Sequence, residues 1–328
     1  MVTGDDGVIL RDNLFGTLEE DANRRDFTIN ALFYDIKTFS IIDYVGGLKD
    51  IERKVVRLIG DPVTRYIEDP VRMIRAVRFA ATMDFKIERK TLKAIHSCKQ
   101  HIQKASHARM YEEVQKLLLK GHGEKIFNML RETGLFEMIF PTLSEWIQHH
   151  EDVELNRIRT GLRLVDKNID QGKQVSPALL FCMLLGEYIE THAVKIMVHE
   201  DVVYASAIEY TTNETLQDLG QTVLVPRQIG YQIRHILESQ RRFDSTRGKR
   251  PHRFLERQFF PDAFAYFQFK AHISGENTAL VKWWKDFTQE NMDQIRATAK
   301  NAKTKSKRSR GRRSRRPRRG RGKPDSPK

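Results

Sequence analysis

A chain of 328 residues with 40% hydrophobic side chains is long enough for roughly two domains and for a sizeable buried core. Its net charge of +14 is uneven: residues 301–328 hold fourteen Lys/Arg against the single acid Asp325, while the other 300 residues hold 43 bases and 42 acids. A near-neutral body with a basic tail points to a polyanion partner, most often nucleic acid. The only cysteines, Cys98 and Cys182, form no CxxC, which argues against a disulfide framework or a zinc site. The longest apolar run, Ala178 to Leu185, is too short to span a bilayer, and the polar N-terminus has no signal-peptide core. The expectation is a cytoplasmic protein with no membrane partner.

In chain order, residues 1–17 read as a loop feeding a short strand at Val8-Ile9-Leu10. Leu32 to Ile36 and Ser40 to Tyr44 read as a strand pair around Lys37-Thr38-Phe39, after which Gly46-Gly47 turns the chain. Val55 to Ile59 is too short to arbitrate between a strand and a helix end. Asp61-Pro62 and Asp69-Pro70 each place an N-cap acid before a proline at a first helical position, and Val71, Ile74 and Val77 supply an apolar stripe. Ser106 can cap a helix from His107 to Lys120 with Gly121 as its stop, and a second runs from Glu124 to Thr133, stopped by Gly134. Further helical patterns cover Asn156 to Lys167, Ala178 to Val198, Pro226 to Arg241 and Thr278 to Glu290. The last 28 residues lack apolar periodicity and should be disordered alone. No repeat of fixed period is present.

Three motifs carry chemistry. In Glu68-Asp69-x-x-Arg72, helical spacing would set a carboxylate acceptor beside a guanidinium donor. That pair matches the amino donor and ring-nitrogen acceptor of adenine and of cytosine, while guanine and uracil present the reverse polarity. Arg75 and Arg78 continue one side and can face phosphates. The plainer alternative is a helix-cap Asp69 with an intrahelical ion pair to Arg72. In Arg24-Arg25-Asp26, adjacent arginines can neutralise a triphosphate and Asp26 can accept from a ribose hydroxyl, with Asn30 orienting the site; the alternative is a solvated charge cluster. Glu19-Glu20-Asp21 offers carboxylates, or else a polar loop before a strand. Elsewhere, Arg241-Arg242-Phe243 and Arg247-Gly248-Lys249-Arg250 form a basic stretch with an aromatic, a candidate RNA track. Trp283-Trp284 can stack bases, but adjacent Trp on a helix more often anchor packing. None of the eleven histidines has metal-ligand spacing.

The blocks Leu18 to Leu32, Asp43 to Asp50 and Glu68 to Arg78 resemble, in order and spacing, those of the class II nucleotidyltransferases, the superfamily of bacterial poly(A) polymerases and tRNA CCA-adding enzymes. The match runs from about Leu10 to Leu143. The Lys-Trp-Trp-Lys-Asp-Phe stretch, the Arg-Gly-Lys-Arg segment and the arginine-rich tail resemble the poly(A) polymerase branch. The resemblance implies an α+β chain: a remnant of an α/β nucleotidyltransferase head over 1–60, a helical neck that binds nucleotide and RNA over 61–145, a helical body over 146–295, and a disordered basic tail over 296–328. It implies base reading by Glu68, Asp69 and Arg72, and phosphate and ribose contacts by Arg24, Arg25, Asp26 and Asn30. Asp43, Gly46-Gly47 and Asp50 would be mechanical, and Ala108 to Glu113 would brace the neck. Arg241, Arg242, Arg247, Lys249 and Arg250, with Arg312, Arg313, Arg315 and Arg316 of the tail, would hold RNA.

The family's chemistry is template-independent transfer of AMP from ATP to RNA 3′ ends, using two Mg²⁺ ions. Its main carboxylates are an Asp-x-Asp shortly after a Gly-Gly-x-Val-Arg-Asp block; neither occurs in this sequence. Glu19, then Asp21, are the candidates for a third catalytic acid, with Glu19 the metal ligand. The expectations are therefore a poly(A) polymerase that is inactive as this chain, with RNA 3′ ends and ATP as ligands and the RNA-decay machinery as partner. The alternatives are a CCA-adding enzyme, or an RNA-binding protein that has lost catalysis.

Overall fold

Local capping chemistry decides where most of the first helices begin. The computed structural model describes residues 16–291 in full, and Val2–Thr3 and Ile9–Arg11 by backbone only. Those two short segments are β1 and β2, paired antiparallel. Thr17 then accepts a hydrogen bond from the Glu20 amide while the Glu20 carboxylate accepts from the Thr17 amide, a reciprocal cap that opens α1 (Leu18–Arg24). The acidic cluster thus lies on the first turn of a helix, where carboxylates also suit the helix dipole, and the polar-loop alternative falls.

After a single 3₁₀ turn at Thr28–Asn30 come β3 (Leu32–Asp35) and β4 (Ser40–Asp43), an antiparallel hairpin with Leu32 opposite Asp43 and Tyr34 opposite Ile41. Gly46, at φ 83°, occupies the left-handed region that glycine enters at little cost and precedes α2 (Gly47–Glu52). The Asp43 carboxylate accepts from the amides of Val45, Gly46, Gly47 and Leu48 at 2.8–3.1 Å. At Gly47 a Cβ would fall against the Thr28 carbonyl, so the chain needs glycine there for close approach. Thr28 Oγ1 also donates to the buried Asp50 at 2.7 Å, and Arg57 pairs with the same carboxylate at 3.0 Å. The 43–50 block is a latch onto the 24–30 segment, which is the mechanical role expected of it.

Val55–Val56 is a strand, β5, and it pairs in parallel with β6 (Lys86–Ile87) across two intervening helices. Those helices are α3 (Pro62–Glu68), capped by Asp61 on the Thr64 amide at 2.9 Å, and α4 (Val71–Met83). The expected cap at Asp69 is corrected: Pro70 takes the N-cap position, and Asp69 ends α3 with φ −143° and ψ 92°. Proline drives the residue before it out of the helical region, so Asp69 stands in the corner between two helices rather than on one.

The rest is helical. In order come α5 (Arg89–Cys98), α6 (His107–Leu118), α7 (Gly123–Thr133), α8 (Leu135–Ile139), α9 (Pro141–His149) and α10 (Glu151–Asp170). They are followed by α11 (Pro177–Glu200), α12 (Tyr204–Leu219), α13 (Arg227–Glu238), α14 (Arg250–Leu255), α15 (Phe260–Ser274) and α16 (278–291). The expected 226–241 helix stops at Glu238 and continues as a 3₁₀ turn at Gln240–Asp244. Ser106 sits at the N-cap of α6 without a side-chain cap bond, and α6 ends at Leu118 ahead of Gly121.

The run Ala178–Leu185 is buried throughout, which makes the first half of α11 a core helix, apolar on all sides. One core runs from Phe27 through Ile74, Val114, Phe127 and Phe181 to Phe269, so α3–α7 and the later helices share an interior. A second, aromatic core gathers Phe243, Phe254, Phe260, Phe267 and Trp284. Trp284 is fully buried, which decides for packing rather than base stacking. Among the described residues no helix is long and apolar enough to cross a membrane. The architecture is α+β: short strand pairs with the first helices, then a helical neck and body. The basic tail expected to be disordered, with Arg312, Arg313, Arg315 and Arg316, lies outside the described residues.

Candidate nucleotide-binding site

The corner between α3 and α4 faces the 24–30 segment, and a chain of charged contacts joins them. Arg65, on α3, donates from Nη2 to the carbonyls of Arg24 at 2.9 Å and Arg25 at 2.7 Å. Arg72, the second residue of α4, donates from Nη1 to the Arg65 carbonyl at 2.8 Å and to Glu68 at 3.2 Å. Arg75 forks onto Asp26 Oδ2 at 2.8 and 2.5 Å. The three motifs are thus brought to one place by side chains that reach across some forty residues of sequence.

Asp26 is the best-held group. Its Oδ1 accepts from the Phe27 amide at 2.9 Å and the Asn30 amide group at 3.0 Å. Burial opposes its ionisation most strongly, but Asn30, Arg75 and the Phe27 amide together hold its pKa below the usual carboxylate range. With four donors already on it, a ribose hydroxyl would have to displace one of them.

Asp21 is drawn the other way. Arg24 reaches its Oδ1 at 2.7 Å and Arg25 its Oδ2 at 2.9 Å, and the hydrogen bonds from Arg24 and then Arg25 lower its pKa. Arg25 also donates to the Asn30 carbonyl at 2.6 Å and lies over the Phe33 ring. Arg24 is 66% exposed and is the arginine of the pair best placed to meet a solvent-borne phosphate. Glu19 is exposed, and its carboxylate has no partner among the described residues.

Arg78 and Arg75 both lie over Phe79, at 4.6 and 5.3 Å from the ring centroid. Beneath them is Glu113 of α6, buried, 3.7 Å from Arg78 Nε and 4.0 Å from Arg75 Nη1, and bonded to Lys116 at 2.8 Å. Burial lowers the Arg78 pKa against the opposing pull of Glu113.

Asp69 and Arg72 do not pair with each other. Asp69 accepts from its neighbour's neighbour, the Val71 amide, at 3.2 Å, and from Arg109 of α6 at 3.1 Å; Arg72 pairs with Glu68. The intrahelical Asp69–Arg72 ion pair offered as the plain alternative is therefore absent. Arg72 keeps Nε and Nη2 without a partner among the described residues, and Asp69 keeps lone pairs on both oxygens.

Three contributors carried no role of their own in the sequence. Arg109 and Glu113 fell inside a block assigned to bracing, and Arg65 offered only its spacing of three from Glu68. The basic stretch Arg241, Arg242, Arg247, Lys249 and Arg250 is exposed along the 3₁₀ turn and the loop into α14, and Arg241 lies 3.7 Å over the Tyr204 ring. That stretch is not part of the site.

The carboxylates of the described residues do not make a Mg²⁺ site. Both oxygens of Asp21 are taken by arginines, and among the described residues no three His, Cys, Asp or Glu side chains cluster as metal ligands.

Residues 5–57 match the poly A polymerase head domain, 84–147 the probable RNA and SrmB-binding site of polymerase A, and 200–320 the polymerase A arginine-rich C-terminus. Poly(A) polymerase I of Escherichia coli O6:H1 is 38% identical over 287 residues, and that of Haemophilus influenzae is 37% identical over 292.

The chain is similar to the poly(A) polymerases in all three of these segments.

The aligned part covers 87% of this chain and 62% of the Escherichia coli relative, or 88% and 64% for Haemophilus influenzae, so the chain spans less than two thirds of these relatives. A CCA-adding enzyme of Pediococcus pentosaceus is 42% identical, but over 136 residues, which is 42% of this chain and 32% of that protein. The fold is similar to a crystal structure of a tRNA nucleotidyltransferase complexed with a primer tRNA and an incoming ATP analog, at TM-score 0.58 and 20% identity, covering 87% of this chain and 76% of that one. It is also similar to a CCA-adding enzyme in apo form, at TM-score 0.56 and 18% identity, covering 85% and 60%.

Proposed function

We propose that this chain carries the base-reading and RNA-holding part of a poly(A) polymerase, which adds AMP from ATP to RNA 3′ ends without a template in the cytoplasm. The observation that supports it best is the Asp69–Arg72 corner. One residue offers an acceptor and the other a donor, each is held in place by a different partner, and each keeps a free edge. A base with an amino group beside a ring acceptor fits; guanine and uracil present the wrong polarity. Arg24 and Arg25 would meet the triphosphate, and Asp26, fixed by Arg75 and Asn30, would set the ribose and the angle of α4. Arg78 would hold Glu113 and the α4–α6 contact beneath the site.

Poly(A) addition is favoured over CCA addition because the longer matches, including the arginine-rich C-terminal one, are to poly(A) polymerases. The match of 84–147 to a region described as a probable RNA and SrmB-binding site supports RNA as a partner. Nucleotidyl transfer in this family needs Mg²⁺ on several carboxylates. Glu19 supplies at most one, so no catalytic step is derived from these residues.

Binding of the four nucleoside triphosphates to residues 1–328, followed by titration calorimetry, tests the reading. ATP and CTP should bind in preference to GTP and UTP. Asp69→Ala and Arg72→Ala should each erase the preference, since a hydrogen bond to a charged group contributes roughly 1.5–3 kcal/mol, about tenfold or more in affinity. An unchanged preference in both variants would reduce Asp69 to the partner of Arg109 and defeat the proposal.

A further inference from the structure

Away from the nucleotide site, α10, α11 and α15 enclose a cavity of about 660 Å³. Its wall holds charged groups that the reading above leaves unused. Glu154, 2% exposed, pairs with Arg157 through Oε2 alone, at 2.8–2.9 Å. Its Oε1 has no partner among the described residues. Arg157 is saturated, with its other nitrogens on the carbonyls of Met183 and Leu184 at 2.6 and 3.0 Å. Glu190 is saturated too, by Lys270 at 2.7 and 2.9 Å and by the Tyr266 hydroxyl at 2.9 Å.

Glu187, one turn before Glu190 on α11, has no partner among the described residues, and burial, followed by the nearby Glu190, raises its pKa. Gln240 is 7% exposed. Its amide nitrogen donates to the carbonyls of Ile236 and Ala263 at 2.7 and 3.3 Å, which fixes its orientation and leaves Oε1 an enclosed acceptor with nothing to accept from. The buried free valences of this wall are acceptors. Its buried donors are engaged, Lys270 by Glu190 and Arg157 by Glu154 and two carbonyls, while Arg241 lies exposed at the rim over Tyr204.

A surplus of acceptors, two of them carboxylates, repels phosphate, so the cavity does not extend an RNA track. It also does not suit a bare metal ion, because no three carboxylate, His or Cys groups among the described residues converge as ligands. What fits is a cation that spreads several N–H donors over a space of this size.

We propose that this cavity binds an alkylammonium or guanidinium group, held by Glu187 and the Glu154 Oε1. Two sources carry that chemistry: a free aliphatic diamine, or a Lys or Arg side chain of this protein's own 301–328 segment. The test uses the full chain and putrescine as the probe, in titration calorimetry at low ionic strength.

Saturable binding is expected. Glu187→Gln, which keeps shape and removes charge, should weaken it by about tenfold or more. Val194→Lys should abolish it. Val194 is 43% exposed at the cavity wall, so the variant keeps its fold while placing an ammonium inside. Glu200→Gln, an exposed site on the same helix, should leave binding unchanged. Zero-length carbodiimide coupling then separates the sources. A bond from Glu187 or Glu154 to Lys303, Lys305 or Lys307 that putrescine suppresses identifies the chain's own segment; saturable putrescine binding without that bond identifies a free amine. Neither saturable binding nor the bond, or equal binding in all three variants, overturns the proposal.

Discussion

The polar network of residues 18–113 and the aromatic cluster of residues 243–287 are held together by opposite means. In the first, the deciding contacts are charged, directional and shared between elements: Asp26 with Arg75, Asp50 with Arg57, Glu113 with Arg75 and Arg78. In the second, Phe243 lies within 4.4–6.1 Å, ring to ring, of Phe254, Phe260, Phe264, Phe267 and Trp284, with one polar tie, from the Trp284 indole to the Phe243 carbonyl at 2.8 Å. The first region is tied by directional bonds between charged groups, the second by aromatic contact area.

If that contrast is right, stability and nucleotide preference separate between the two regions. The largest stability loss should come from Trp284→Ala, about 4 kcal/mol for a fully buried aromatic, measured by urea unfolding. Base preference in the four-nucleotide titration should be untouched, and a change there would mean that the two regions are coupled.

Asp26→Ala should cost about 3 kcal/mol, because partly buried Arg75 keeps only Glu113, at 4.0 Å, as a counter-charge, and nucleotide binding should fall with it. The same carboxylate gives a pH signature. Its folded pKa lies below its unfolded value, so its contribution is complete above about pH 4 and is lost as the pH falls through the lower folded value. Acid titration of stability should show a steeper fall below pH 4 in the parent than in Asp26→Asn; equal slopes would remove Asp26 from the network's energetics.

Gly47→Ala is expected to cost about 2 kcal/mol, since the added methyl meets the Thr28 carbonyl and loosens the latch; a neutral melt would show that the latch gives way freely. Asp69→Ala sits at the small end for stability. Its partner Arg109 is 57% exposed, so the loss should stay below about 1 kcal/mol while base preference collapses. A large stability loss with intact preference would make Asp69 structural.

Much of the first region was legible from residue types alone. Two Asp-Pro pairs announced two helices, and the alternating hairpin residues 32–36 and 40–44 announced a strand pair. The charged motifs announced a shared site. What they did not announce was who pairs with whom. Asp69 and Arg72 are three apart and suggested one helix face, yet Pro70 breaks the helix between them and each finds a partner elsewhere.

The sequence by itself determined that helices dominate after Asp61 and that residues 32–36 and 40–44 pair as strands. These follow from caps, proline geometry and apolar runs, all of which act within a few residues. Only the tertiary structure decided that Arg75 belongs to Asp26, that Val55–Val56 pairs in parallel with Lys86–Ile87, and that Trp284 closes on Phe243. It also decided that Glu154, Glu187 and Gln240 share one cavity wall. Contacts that span tens of residues depend on how packed helices orient one another, and no local propensity encodes that orientation.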